Sequence, residues 1–141
     1  MDRLRFGTGG SPFSSQKRST LSGIERIAEL GLECLEVEFV HGVKMSAEEA
    51  ARIRERSAAL DVKLSAHGPY YINLASLEKQ KIGASRAMLL QTAKACQAMG
   101  ADRFTFHPAF YQQRSSEEVY PIVKEQLQLL RTSLLENGIT A

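Results

Sequence analysis

At 141 residues the chain can bury the core of one globular domain, and 43% hydrophobic with 24% charged residues is an ordinary balance for a water-soluble protein. A net charge of +2 is too small to argue for a polyanionic partner by itself, and Cys34 and Cys96, far apart and in no CxxC spacing, indicate neither a zinc ribbon nor a disulfide framework. Met1–Phe6 lacks the apolar core of a secretion signal and no run approaches the ~20 apolar residues that cross a bilayer, so a cytoplasmic protein with no membrane partner is expected.

One plan of strand, loop and helix is used four times. Leu4–Thr8 reads as a short strand entering a Gly/Ser/Pro loop, Gly9–Ser19. A helix follows, with Ser22 and Glu25 at capping-box spacing, Ile24, Ile27 and Ala28 on one face, and Gly31 as its stop. Cys34–Val40 is the second strand. Its helix opens on Ser46-x-x-Glu49 and buries Ala50, Ile53, Ser57 and Leu60. Val62–Ala66 is the third strand, running into His67-Gly68-Pro69. The third helix spans about Leu77–Met99, with Ile82, Leu89 and Cys96 in heptad spacing, and Gly100 closes it. Arg103–Phe106 is the fourth strand, running into His107-Pro108. The last helix opens on Ser115-x-x-Glu118, carries Val119, Ile122, Val123, Leu127, Leu130 and Leu134 on one side, and ends at Asn137-Gly138. Ile139-Thr140-Ala141 reads as the start of a fifth strand.

Short apolar strands alternating with amphipathic helices long enough to be crossovers predict an α/β fold with a parallel sheet. A doubly wound sheet would gain from GxGxxG after the first strand, but Gly7-Thr8-Gly9-Gly10 lacks that spacing and no GKS or GKT follows. A (β/α)8 barrel gains from the position of the chemistry, since the suggestive residues all follow strand C-termini. A full barrel needs ~250 residues. Residues 1–141 are therefore expected to be the N-terminal half of a single barrel domain, truncated at the start of the fifth strand, with strands one and four as open edges.

His67 and His107 occupy equivalent places just past successive strands. Neighbouring strands lie ~5 Å apart, so two imidazoles there can converge on an ion such as Zn²⁺, which binds nitrogen at ~2.0–2.1 Å. The plainer alternative is a pair of half-buried histidines bonded to loop backbone. His41 follows the second strand and reads as a loop residue near the site. Tyr70 and Tyr71 follow one histidine, Phe110 and Tyr111 the other. Exposed rings there could stack on bases, worth ~1–3 kcal/mol each, or simply pack under their loops. Lys17, Arg18, Lys44 and Arg114 fall in the loops on the same side and could meet phosphates, though loop charge is usually just solvated. Glu36 and Glu38 share one side of the second strand, which is either the barrel interior, where Glu38 could support a metal ligand, or an edge.

Ser65-Ala66-His67-Gly68-Pro69-Tyr70-Tyr71-Ile72-Asn73-Leu74 resembles the metal-binding loop after the third strand of the endonuclease IV family of apurinic/apyrimidinic endonucleases. These are barrels of the xylose isomerase-like superfamily. Phe104-Thr105-Phe106-His107-Pro108 is similar to the family's fourth-strand ligand segment, and the interval between the histidines also fits. The resemblance implies a zinc-dependent DNA-repair hydrolase of base excision repair that cleaves 5′ of abasic sites with three Zn²⁺ ions. It implies that His67 and His107 are metal ligands and that Tyr70 enters the minor groove at the lesion; Tyr71, Asn73, Lys44 and Arg114, in the loops on the same rim, are the further candidate DNA contacts. Ala109 stands where the family usually has Gly, and the loop after the first strand lacks the histidine some members carry. The family's remaining ligands belong to strands five to eight, so no catalytic residue is assigned within this half and the fragment alone is expected to be inactive. The competing readings are a metal-dependent sugar isomerase or epimerase of the same superfamily, and a non-catalytic half barrel that self-associates through its open edges.

Overall fold

Four parallel strands alternate with four helices through residues 3–139, which the computed structural model describes. The elements are β1 (Gly7–Gly9), α1 (Thr20–Glu29), β2 (Cys34–Glu38), α2 (Ala47–Ala59), β3 (Lys63–His67), α3 (Lys79–Met99), β4 (Phe104–Thr105) and α4 (Ser116–Glu136). The sheet runs β1-β2-β3-β4, every neighbour parallel. A doubly wound sheet would place β1 internally and reverse direction beside it. Here β1 and β4 are the edges and each strand pairs with the next in sequence, which is barrel order.

Alternation along the strands sorts the side chains. Leu35, Val37, Leu64 and Ala66 are buried, packed with Ile24, Ile27, Ala50, Ile53, Cys96 and Met99 of α1, α2 and α3. Glu36, Glu38, Ser65 and His67 take the opposite face and are exposed or partly exposed. A second cluster joins Ile72 and Leu74, from the loop after β3, to Leu89 of α3 and Leu130 of α4. Among the described residues the sheet therefore has one apolar face and one polar face, and the polar one is the interior of the partial barrel.

The helix starts follow local chemistry. Ser46 Oγ accepts from Glu49 N at 3.1 Å to open α2. Ser115 and Glu118 form a reciprocal capping box on α4, with Glu118 N donating to Ser115 Oγ at 3.3 Å and Ser115 N to Glu118 Oε2 at 2.8 Å. The expected Ser22/Glu25 box is corrected: α1 begins one turn earlier, with Ser19 as cap accepting from Ser22 N. Ser22 Oγ instead accepts from Lys17 N. The third helix begins at Lys79 rather than Leu77.

Strand limits also move. The first strand lies at Gly7–Gly9, not Leu4–Thr8, since Leu4 and Phe6 are exposed and bury nothing. Gly7 is required by its neighbour: a Cβ there would stand 1.7 Å from the Cys34 carbonyl oxygen. The second strand stops at Glu38. The third is shifted by one, so that His67 is its last residue. Regular pairing in β4 covers only Phe104–Thr105, although Arg103 and Thr105 both accept bonds from the chain of β3 and its exit. Gly100 takes the left-handed conformation that ends α3, at φ +80°. Ile139 is buried, while Thr140 and Ala141 of the expected fifth strand lie outside the described residues.

Candidate functional site

The register sets the site. Glu38, His67 and Thr105 lie abreast across β2, β3 and β4. The two histidines are thus not equivalent, as the sequence suggests: His107 stands two residues beyond the position level with His67. A two-residue step returns a side chain to the same face, so both imidazoles still project on the polar side. Their ring centroids are 5.3 Å apart.

His67 Nδ1 lies 2.8 Å from the Gly68 carbonyl oxygen. A carbonyl only accepts, so Nδ1 is the protonated nitrogen, and in the neutral ring Nε2 keeps its lone pair. This is the tautomer a nitrogen ligand needs. The Tyr70 ring sits 5.5 Å from His67 and 6.3 Å from His107, closing a three-ring group. Tyr71 stacks on His41 at 6.3 Å, which places His41 beside the site as expected of a loop neighbour. Tyr70, Tyr71, Phe110 and Tyr111 are 46%, 65%, 54% and 60% exposed, so these rings remain available to a partner rather than packing under their loops.

The pair has the donor chemistry of part of a zinc shell: two imidazole nitrogens on one face, at least one in the ligating tautomer. Among the described residues no group of three or more His, Cys, Asp or Glu side chains could hold an ion. Glu36 and Glu38 do share the interior face. The Glu38 carboxylate, however, leans over β1, where its Oε2 would lie 3.1 Å from a Cβ on Gly10. Cys96 is buried in the core, where desolvation pushes its thiol up to about 12, so it is a packing residue.

The remaining candidates divide. Arg18 lines a cleft of about 550 Å³ over the ends of β1 and β2, with Gly9, Gly10, Ser11, Glu36 and Glu38. Exposed Lys44 borders an adjoining groove with Glu38 and Glu49. Lys17 instead faces a groove between α1 and α2 with Glu25 and Arg56, away from the strand ends. Asn73 and Arg114 are engaged by loop backbone. Asn73 Oδ1 accepts from Ala75 N at 3.1 Å and Phe110 N at 3.4 Å. Arg114 donates to the Ala75 carbonyl through Nη2 and to the Tyr111 carbonyl through Nε at 3.3 Å. Sequence reasoning placed both on DNA and missed this cross-loop bonding; the Asn two residues before Ala75 is a recognisable side-chain turn, but Arg114 carries no local signal.

The model of the xylose isomerase-like TIM barrel matches residues 24–140. The chain belongs to that family. The crystal structure of D-psicose 3-epimerase in the presence of D-fructose superposes with a TM-score of 0.76 at 22% identity, over 96% of this chain and 50% of that one. Endonuclease IV from Thermus thermophilus does so with a TM-score of 0.67 at 19% identity, over 90% and 47%. Both likenesses bear on the fold alone. In sequence, an uncharacterized protein of Methanocaldococcus jannaschii is 34% identical over 131 residues, which are 93% of this chain and 46% of that protein. An endonuclease 4 homolog of Dictyostelium discoideum is 30% identical over 91 residues, 62% of this chain and 16% of that protein. The chain thus spans about half the length of the first of these relatives and of the solved barrels. Among the described residues no helix is long and apolar enough to cross a membrane.

Proposed function

We propose that this chain is the N-terminal half of a zinc-dependent endonuclease barrel that cleaves DNA on the 5′ side of abasic sites. The observation that carries the reading is the group of His67, His107 and Tyr70 on one face, with exposed Tyr71, Phe110 and Tyr111 on the same two loops. The 30% identical endonuclease 4 homolog supports it in sequence. His67 and His107 would hold zinc through ring nitrogens, with the rest of the shell supplied by residues outside this chain. Bound zinc supplies a hydroxide near neutral pH and stabilises charge on the attacking and leaving oxygens. Tyr70 and Tyr71 offer faces for an unstacked base or the gap at a lesion, and Lys44 offers a charge to phosphate. A polar sugar pocket has less reason to follow the histidine with consecutive tyrosines.

One observation favours a second reading, a metal-dependent sugar isomerase or epimerase. The cleft over β1 and β2 is lined by Ser11, Ser15, Thr20, Glu36 and Glu38, hydroxyl and carboxylate groups suited to a polyol. Fluorescence anisotropy of the 141-residue chain with zinc, on a labelled duplex carrying a tetrahydrofuran abasic analogue and on its intact counterpart, separates the two. The nuclease reading expects preference for the abasic duplex, lost in Tyr70→Ala, with no incision by the chain alone. Equal weak binding to both duplexes, together with saturable binding of a ketohexose, would overturn it.

A further inference from the structure

His67 ends β3, whereas Tyr70 and His107 stand on long loops. Residues 68–78 join β3 to α3, and residues 106–115 join β4 to α4. Loops of this length are ordinarily the mobile parts of a domain, and mobile loops do not hold two rings at a fixed spacing. We propose that Asn73 and Arg114 are positioning residues that lock these two loops together, so that both histidines and Tyr70 behave as one rigid unit.

Four observations converge on this lock. The Asn73 carboxamide oxygen accepts one bond from its own loop, from Ala75 N, and one from the other, from Phe110 N. Arg114 crosses in the opposite direction, donating to the Ala75 carbonyl while its Nε holds the Tyr111 carbonyl of its own loop. Backbone joins backbone between them, since Leu74 N donates to Pro108 O at 2.8 Å, one residue past His107. The assembly is anchored on α3 through Ser85, 1% exposed, whose Oγ accepts from Asn73 N at 2.9 Å and donates to Lys81 O at 2.8 Å.

Two further features show that the lock is imposed rather than incidental. Leu74 and Ala75 are fully buried, so the Ala75 carbonyl needs a partner, and Arg114 is that partner. Gln112 and Gln113 both adopt left-handed backbone, at φ +50° and +65°, immediately before Arg114. Consecutive non-glycine residues in that region persist where surrounding bonds hold them, and this turn is what returns Arg114 toward Ala75. On this account Asn73 and Arg114 serve the site through the loops and do not touch the ligand.

The first test needs no ligand. Amide exchange followed by NMR should show Phe110 and Ala75 protected in the unaltered chain. Asn73→Leu should speed exchange at both by about two- to tenfold, the range expected for one lost hydrogen bond, while Asn73→Asp, which keeps the acceptor, should not. An unprotected Phe110 amide in the unaltered chain overturns the lock before any variant is made. The second test rests on the metal reading above. With zinc alone as the probe, the ring nitrogens of His67 and His107 should respond at one common midpoint. In Asn73→Leu and Arg114→Ala the midpoints should rise and separate, and Asn73→Asp should restore them. A merely structural role would lower stability without separating the two rings. Exchange that changes while both rings keep a common, unshifted midpoint overturns the positioning role. Rings of the unaltered chain that ignore zinc sink the metal reading, and the exchange result then decides the lock by itself.

Discussion

Ile72 tests whether the site loop is anchored by the core, and Ile72→Ala is the perturbation. The residue is fully buried and packs with Leu74, Leu89 and Leu130, against Met88, Phe104 and Phe106. It lies between Tyr71 and Asn73, so its side chain is the apolar pin of the segment that presents the aromatic rings. The change to Ala deletes three carbons. At ~0.8 kcal/mol per buried methylene the transfer loss is about 2.4 kcal/mol. The cavity left behind adds to this, and buried Ile→Ala changes cost ~2–5 kcal/mol in all. The neighbours come from α3, α4, β4 and the loop itself, so they cannot collapse together without moving three elements, which places the expectation at ~3 kcal/mol. With a urea slope of ~2 kcal/mol/M, the midpoint of unfolding followed by circular dichroism should fall by ~1.5 M at unchanged slope. Ile72→Val should cost only ~0.5–1.5 kcal/mol. A loss under ~1 kcal/mol for the alanine variant would refute the reasoning, because it would mean that the loop yields independently of the core.

Gly7→Ala should destabilise by at least ~2 kcal/mol, because a Cβ standing 1.7 Å from the Cys34 carbonyl oxygen forces β1 out of register; a thermal melt within ~2 °C of the unaltered chain would contradict that approach. The hydrogen bond from Ser115 N holds the Glu118 carboxyl below its usual value of 4.5. A lowered folded value means that the stabilisation is present above the unfolded value and is lost as pH falls through the folded one. Glu118→Ala should therefore cost stability at pH 7 and progressively less at acid pH, read from urea midpoints at the two conditions; an equal cost at both would remove the carboxylate from the cap. Cys96, its thiol pushed up to about 12 by burial, should resist a disulfide reagent at pH 8 until the chain unfolds. Reaction of Cys96 in the native chain at the rate of a free thiol would show that this core is open.

The parts of the fold that were legible are those that local chemistry decides. Ser46-x-x-Glu49 and Ser115-x-x-Glu118 mark helix starts because the cap and its acceptor lie in one turn, and both stand where the pattern puts them. The first helix shows the limit of that signal. Ser19 and Ser22 are both competent caps three residues apart; Ser19 takes the cap and Ser22 Oγ accepts from Lys17 N, so the residue types alone do not say which serine starts the helix. Strand ends were less legible, since hydropathy marks which residues are buried and not where pairing stops. That is why His67 moves into its strand while His107 lies beyond a strand only two residues long. Asn73 and Arg114 were legible as polar residues near the histidines but not as cross-loop bonds, because their partners lie 37 and 39 residues away along the chain.

The two functional readings occupy different parts of one rim. The histidines and exposed rings stand over the ends of β3 and β4, whereas the carboxylate and hydroxyl cleft stands over β1 and β2. Both follow from the same alternation: apolar side chains turned to the helices leave every second residue, among them Glu36, Glu38, Ser65 and His67, on the opposite face. The presence of polar groups at strand ends is therefore a property of the fold and separates neither reading. The aromatic rings bear on the choice through the flat faces that they offer. Tyr70, Tyr71, Phe110 and Tyr111 leave apolar area exposed at the rim of this half barrel, above cores already filled by Ile72, Leu74 and Leu89. Either the remainder of the barrel or a flat apolar ligand would cover that area. A nucleobase has such a face and a ketohexose has far less of one. The physical case for DNA accordingly rests on Tyr70, Tyr71, Phe110 and Tyr111 more than on the histidines, which either kind of metal enzyme could use.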